Sequence, residues 1–264
     1  MSRPAIRTAD ATGAAETGPA DAIQAPGTDE ARWRAWSGYE ALPLAVLPER
    51  GHVVVVAAHP DDEVLGFGGA MAVLAERGVR LTVVSLTDGE GSHPDSQVVT
   101  PASLARLRAE ELRAALAELG ASQAEIVRLG VPDTGVADQE AQVAAALTPL
   151  FRDAELVVAP WTGDVHGDHE AAGRAARAAA HRAGAACALY PVWMWHWAVP
   201  DDPRVPWRTA RRVPLPEHVR AMKRAAVERF VTQIHPLGPG PGDAAVLPPD
   251  ELAHHLRPTE VLFQ

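Results

Sequence analysis

The sequence predicts an α/β protein. Its centre is a mostly parallel β-sheet with helices on both faces, and irregular C-terminal loops with one late helix shape a pocket. Three observations predict it. Short apolar runs alternate with helical patterns between residues 52 and 192. The first run, HVVVVAA, is β-branched through its centre with no polar alternation, as a strand covered on both faces should be. The chain between successive runs is long enough for a crossover helix.

Strands are expected at residues 52–58, 80–86, 125–129, 155–159 and 187–192. A helix over 66–77 follows the first strand, and Gly78 sits where a helix C-terminus favours glycine. Thr100 and Pro101 read as the N-cap and first residue of a helix carrying Leu112, Leu116 and Leu119 on one stripe. Asp138 is expected to cap a helix whose Val143, Leu147 and Leu150 share a face. An Ala-rich helix runs from about 168 to 183. After Trp193 the pattern gives way to Pro- and Trp-rich loops, one helix near 217–232, and a Pro/Gly-rich stretch over 235–249. Residues 1–30 are too polar and small to offset ordering entropy and are expected to be a disordered tail, with 31–264 as one domain.

Composition narrows the function. Of 264 residues, 47% are hydrophobic, enough for a substantial core, and 34 acids against 24 bases give a net charge of −10. Such a surface repels phosphate backbones and anionic lipid, so nucleic acid and membranes are poor partners. A single cysteine, Cys187, excludes an internal disulfide and a Cys-rich zinc site. With no apolar run of spanning length and no leader-like stretch, cytoplasmic location is the default expectation.

The densest His/Asp clusters are AAHPDDE (57–63), behind the first strand, and WTGDVHGDHE (161–170), behind the fourth. Ligands of open parallel sheets bind beyond the carboxyl ends of the strands, which places both clusters on one rim. His59 and Asp62, three apart on a turn stiffened by Pro60, can face one ion, and His169 can supply a third ligand, leaving a position for water. Asp61 beside them is expected to be the general base, with His166 steadying a developing oxyanion and Asp164 holding the His166 ring. Zinc, or another divalent metal, is the expected cofactor.

Competing readings exist. Acids after a strand also suit a helix N-terminus, which accounts for Asp61 or Glu63 but not for a second cluster on the same rim. Gly66-Phe-Gly-Gly69 lacks the dinucleotide spacing, and its glycines are expected to let a helix approach the sheet. The run from Trp193 to Trp197 offers a sugar-stacking platform, core packing or an oligomer contact. No GxSxG elbow is present, which disfavours a serine hydrolase.

AHPDDE after a hydrophobic strand, paired with His166-Gly-Asp-His169, resembles the LmbE-like, or PIG-L, family of zinc-dependent N-acetylglucosamine deacetylases. The resemblance covers roughly residues 50–190. TDGE (87–90), ARLRAEEL (105–112), VPD (131–133) and KRAAVERFVTQ (223–233) agree with it, the last with Thr232 in place of Ser. It implies a Rossmann-like fold, His59, Asp62 and His169 as metal ligands, Asp61 as base and His166 as the assisting histidine. Gly167, where members often have Pro, is a departure. A small-molecule amino-sugar substrate is implied, with Arg106 or Arg108, Asp133, Trp195 and His196 as residues to grip it. The arginines are equally well read as helical salt-bridge partners. Two other readings stay open: an amidase on a non-sugar or thiol-conjugated amide, and a non-catalytic ligand-binding module.

Overall fold

A computed structural model describes residues 19–264. Seven strands form one sheet: β1 (His52–Ala57), β2 (Arg80–Ser85), β3 (Glu125–Arg128), β4 (Leu156–Pro160), β5 (Ala186–Tyr190), β6 (Ala210–Pro214) and β7 (Thr259–Phe263). Their order is β3-β2-β1-β4-β5-β7-β6. The first five run parallel, as the sequence predicts, while β7 is antiparallel to both β5 and β6.

The helices are α1 (Pro19–Gln24), α2 (Glu30–Arg34), α3 (Gly38–Ala41), α4 (Asp62–Glu76), α5 (Pro101–Glu118), α6 (Glu140–Leu147), α7 (Gly167–Ala183), α8 (Met194–Trp197), α9 (Glu217–Val227), α10 (Val231–Ile234) and α11 (Pro249–His255). None of the described helices is long and apolar enough to cross a membrane.

Alternate residues of β1 explain its unbroken valines. Val53 and Val55 face one core with Phe67 and Leu74 of α4, Leu112 and Leu116 of α5 and Val227 of α9. Val54 and Val56 face the other, with Leu147 of α6 and the buried alanines of α7. Both faces are thus covered, so a polar residue on either would lose its water. The expectation for the glycines of α4 holds at Gly66, where a Cβ would collide with the Tyr190 ring. That ring is fixed by its hydroxyl, which donates to Val56 O at 2.8 Å.

α4 begins at Asp62, four residues before the expected start: Asp61 holds the N-cap position without a side-chain capping bond, and two acids, Asp62 and Glu63, fill the positively polarised first turn. Thr100 caps α5 through a reciprocal pair with Ser103. Asp138 does not cap α6. It lies inside a 3-10 turn over Ala137–Gln139, and α6 starts beyond it without a side-chain cap.

The C-terminal region departs most from the prediction. Two strands, β6 and β7, occupy what reads as loop, and the late helix is broken into α9 and α10 around buried Phe230. β7 is short and its Glu260 is buried, which disguises it. Glu260 accepts from Lys223 Nζ at 2.6 Å and from the backbone N–H groups of Gly69 and Ala70, so one carboxylate ties β7 to α9 and α4.

The tail expected over 1–30 lies outside the described residues up to residue 18. The later part of that stretch is packed. Thr28 N donates to His196 O at 2.7 Å, and Thr28 Oγ1 donates to Ala198 O at 2.6 Å. Just beyond it, buried Trp33 packs edge-on against Trp195 and donates to its carbonyl at 2.8 Å, an anchor that composition alone does not reveal.

Candidate active site

The strand order reverses between β1 and β4, where one neighbour leads towards β2 and the other towards β5. Crevices of this kind form at such switch points beyond the strands' carboxyl ends. AAHPDDE leaves β1 there and WTGDVHGDHE leaves β4, so the two clusters meet. The ligand-capable atoms of His59, His166 and His169 lie within 4.8 Å of one another.

Asp62 stands between two imidazoles. Its Oδ2 is 3.6 Å from His59 Nδ1, and its Oδ1 is 3.2 Å from His169 Nε2. Each ring's other nitrogen rests on a separate carboxylate. His169 Nδ1 pairs with Asp164 Oδ2 at 2.7 Å. His59 Nε2 lies 3.1 Å from Asp133 Oδ1 and 3.2 Å from Asp168 Oδ2. Carboxylates behind imidazoles fix tautomer and orientation in the way metal sites require. The donor set of two imidazoles and a carboxylate fits zinc or a neighbouring divalent ion.

The carboxylates are themselves held. Asp164, fully buried, accepts from the backbone N–H groups of Val192, Trp193 and Met194 at 2.8–3.2 Å. It therefore orients His169, whereas the sequence assigned it to His166. The correction is geometric: the first turn of α7 carries His169 back over Asp164. Asp168 accepts from Thr134 N at 2.8 Å and Val136 N at 3.1 Å, linking the loop after β3 to α7. Sequence reading passed over Asp168, although its place inside His-Gly-Asp-His was the available signal.

Asp61 is set apart from this group. Its carboxylate receives Arg108 Nη2 at 3.0 Å, and the same guanidinium donates to Pro60 O and Gly89 O, both at 2.9 Å. Gly89 has φ of 64°, and any Cβ there would strike Arg108. Three of the four described non-glycine residues with positive φ surround the site: Asp61 (150°), Thr134 (65°) and Val165 (56°). Strained backbone of this kind persists where surrounding contacts over-determine it, often at functional sites.

Burial dominates the protonation of the group. It lifts the Asp61 carboxyl to about 6, against the pull of Arg108. Burial also pushes His166 down to about 3, reinforced by His169 and His59. Its Nδ1 is enclosed with no hydrogen-bond partner. At His169 burial opposes charge, but Asp62 and Asp164 overcome it and raise the ring to about 9. Asp62, despite burial, is drawn well below the usual carboxylate range by His169 and His59.

These residues open onto a cavity of about 1060 Å³. The residues expected to grip a substrate divide. Asp133 and His196 line the cavity, as does Arg108, but Arg108 is buried with its guanidinium committed to Asp61 and two carbonyls. Arg106 points away and pairs with Glu110 at 3.2 Å, the helical salt bridge. Trp195 is not in the lining; it packs against Trp33, while Trp193 of the same run does line the cavity. The motif at 223–233 divides: Thr232 Oγ1 donates to Glu111 Oε2 at 2.8 Å, fastening α10 to α5, while Gln233 lines the cavity.

Among proteins of known name, a 1D-myo-inositol 2-acetamido-2-deoxy-alpha-D-glucopyranoside deacetylase of Kribbella flavida is 28% identical over 240 residues, covering 74% of each chain. Other relatives carrying that name align over shorter stretches, in several cases 24–26% of their own length. Among solved structures, a conserved protein of Thermus thermophilus is 30% identical, with a TM-score of 0.52 over 69% of this chain and 79% of its own. The deacetylase of the A40926 pseudoaglycone shares the fold at 21% identity, with a TM-score of 0.59 over 80% of this chain and 95% of its own. A family model described as GlcNAc-PI de-N-acetylase matches residues 54–180, which hold both His/Asp clusters. Residues 54–180 thus carry a PIG-L family domain.

Proposed function

We propose that the protein is a metal-dependent N-deacetylase that hydrolyses the acetamide of an N-acetylglucosamine-type amino sugar. One observation carries the reading. Two imidazoles flank Asp62, each backed by a further carboxylate, and a second acid, Asp61, held by Arg108, lines the same cavity beside them. The family match over residues 54–180 and the deacetylase names of the relatives support the same reaction.

His59, Asp62 and His169 would hold the ion. A zinc ion or its divalent neighbour supplies Lewis acidity there, polarising an amide carbonyl and making water acidic near neutral pH. Asp61 takes the proton from the attacking water, a task suited to a carboxyl lifted towards neutrality by burial. Arg108 keeps that carboxylate oriented and ionisable. The water oxygen bonds to the carbonyl carbon, and His166 donates a hydrogen bond to the oxygen that becomes negative. A ring held neutral by burial suits donation better than proton release. As the C–N bond breaks, Asp61 returns its proton to the departing nitrogen, giving acetate and a free amine.

Acetate release from an N-acetylglucosaminyl inositol and from N,N'-diacetylchitobiose tests the reading. Stoichiometric acetate and amine from either substrate, lost in Asp61→Asn, is the expected result. Turnover that persists undiminished in Asp61→Asn contradicts it.

A further inference from the structure

The cavity wall carries more information than the catalytic corner. Its carboxylates are Asp61, Asp62, Asp95, Asp133, Asp250 and Glu251. Among the described residues of the lining, Arg108 is the one Lys or Arg, and it is buried with its Nη atoms bonded to Asp61, Pro60 O and Gly89 O and its Nε enclosed by protein. Asp95 and Asp250 are solvent-exposed. Six carboxylates against one committed guanidinium leave an excess of negative charge that a bound dication would not cancel.

The two wall histidines outside the His59, His166 and His169 cluster do not reverse this balance. His93 Nε2 lies 3.1 Å from Ala244 O, and burial pushes the ring's pKa down. His196 Nδ1 lies 2.7 Å from Glu251 Oε2, and its Nε2 lies 2.8 Å from Ala25 O.

An apolar part of the wall comes from outside the family match. Ile23 reaches it from α1, Trp193 from the segment after β5, and Val246, Leu247 and Pro248 from the loop before α11. The N-terminal segment is held in place partly because Gly27 has no side chain: a Cβ would fall 2.5 Å from His196 Nδ1.

We propose that the pocket selects amino-sugar conjugates whose non-sugar part is uncharged or cationic with an apolar stretch, and discriminates against phosphorylated ones. This rests on the deacetylase reading and deepens it. A phosphate would enter a field of like sign with no guanidinium or ammonium free to pair with it. An alkyl or aryl stretch would bury surface against Ile23, Trp193 and Leu247, and an ammonium would meet Asp95 or Asp250.

The test uses three N-acetylglucosaminides that differ at the end of one chain: hexyl, 6-aminohexyl and 6-phosphohexyl. Acetate release is followed on the full-length, metal-loaded protein and on D95K/D250K. The expected kcat/KM for the phosphohexyl conjugate is about 10-fold below that for the hexyl one at low salt, with the gap narrowing as salt screens the field. D95K/D250K should shrink the ratio at least about three-fold. Equal or faster turnover of the phosphohexyl conjugate, or an unchanged ratio in the variant, overturns the proposal. If no conjugate releases acetate, the deacetylase reading fails. Calorimetric binding of the same three compounds then decides the selectivity separately: hexyl and aminohexyl binding above phosphohexyl sustains it, and any other ranking, or no binding by all three, overturns it.

Discussion

Arg108 Nη2 donates to Asp61 Oδ2 at 3.0 Å, joining α5 to a residue whose backbone φ is 150°. Both side chains are buried, so this is a paired charge in low dielectric, where losing one partner costs far more than it would at the surface. Arg108 opposes the upward push of burial on Asp61, which stands at about 6. A base must be ionised to act, so activity is expected to fall as pH drops through about 6. In Arg108→Gln the opposing charge is gone, and the acid limb of kcat/KM should move to higher pH. A pH–rate profile of the two proteins checks this; a drop in rate with the limb unmoved would mean that Arg108 acts on the fold alone.

Asp61→Asn keeps the shape but removes the base. Turnover should fall by about 10²–10⁴-fold while bound metal is unchanged. Metal content and kcat measured on one preparation separate the two effects, and loss of metal from this variant would move Asp61 into the ligand set.

Asp164 touches no substrate in this account. It holds His169 Nδ1 at 2.7 Å and gathers the backbone N–H groups of Val192, Trp193 and Met194. Asp164→Asn should weaken zinc binding by about 10–100-fold, as loss of a carboxylate behind a metal-bound imidazole does. Competition with a chromogenic chelator reads the affinity directly. Unchanged affinity would place Asp164 in loop packing only.

Far from the site, Glu30 carries a pH-dependent share of stability. Burial raises its pKa, but hydrogen bonds from His254 and Arg257 outweigh that and hold it at about 2. A carboxyl depressed on folding stabilises the native state above its unfolded pKa. That contribution is lost as pH falls from the ordinary value of 4.5 towards about 2. Glu30→Gln should destabilise at neutral pH by about 1–3 kcal/mol, since Arg257 loses a charge-assisted partner. The difference from wild type should shrink as denaturation is repeated at pH values falling through that window. A constant difference at every pH would show that the pair contributes through packing.

The five parallel strands and the two His/Asp clusters were legible because each has a local signature. β1 writes double-sided burial as consecutive valines, and AHPDDE compresses the ionisable groups into adjacent positions. What escaped depends on contacts distant in sequence. β7 pairs with β5 across about 70 residues, and its buried Glu260 is explained only by Lys223 and the amides of Gly69 and Ala70. Asp168 reads as an acid in a helix's first turn until Thr134, Val136 and His59 converge on it. Arg108 and Arg106 are indistinguishable in sequence. Two residues of helix rotation bury one and expose the other.

The most direct measurement is the metal content of purified, dialysed protein, compared with Asp62→Ala and with the double variant His59→Ala/His169→Ala. If Asp62 and the two imidazoles grip a common ion, the native chain should retain about one equivalent of zinc, and both variants should retain close to none. Equal metal in all three proteins, or none in the native chain under zinc-replete purification, would contradict it.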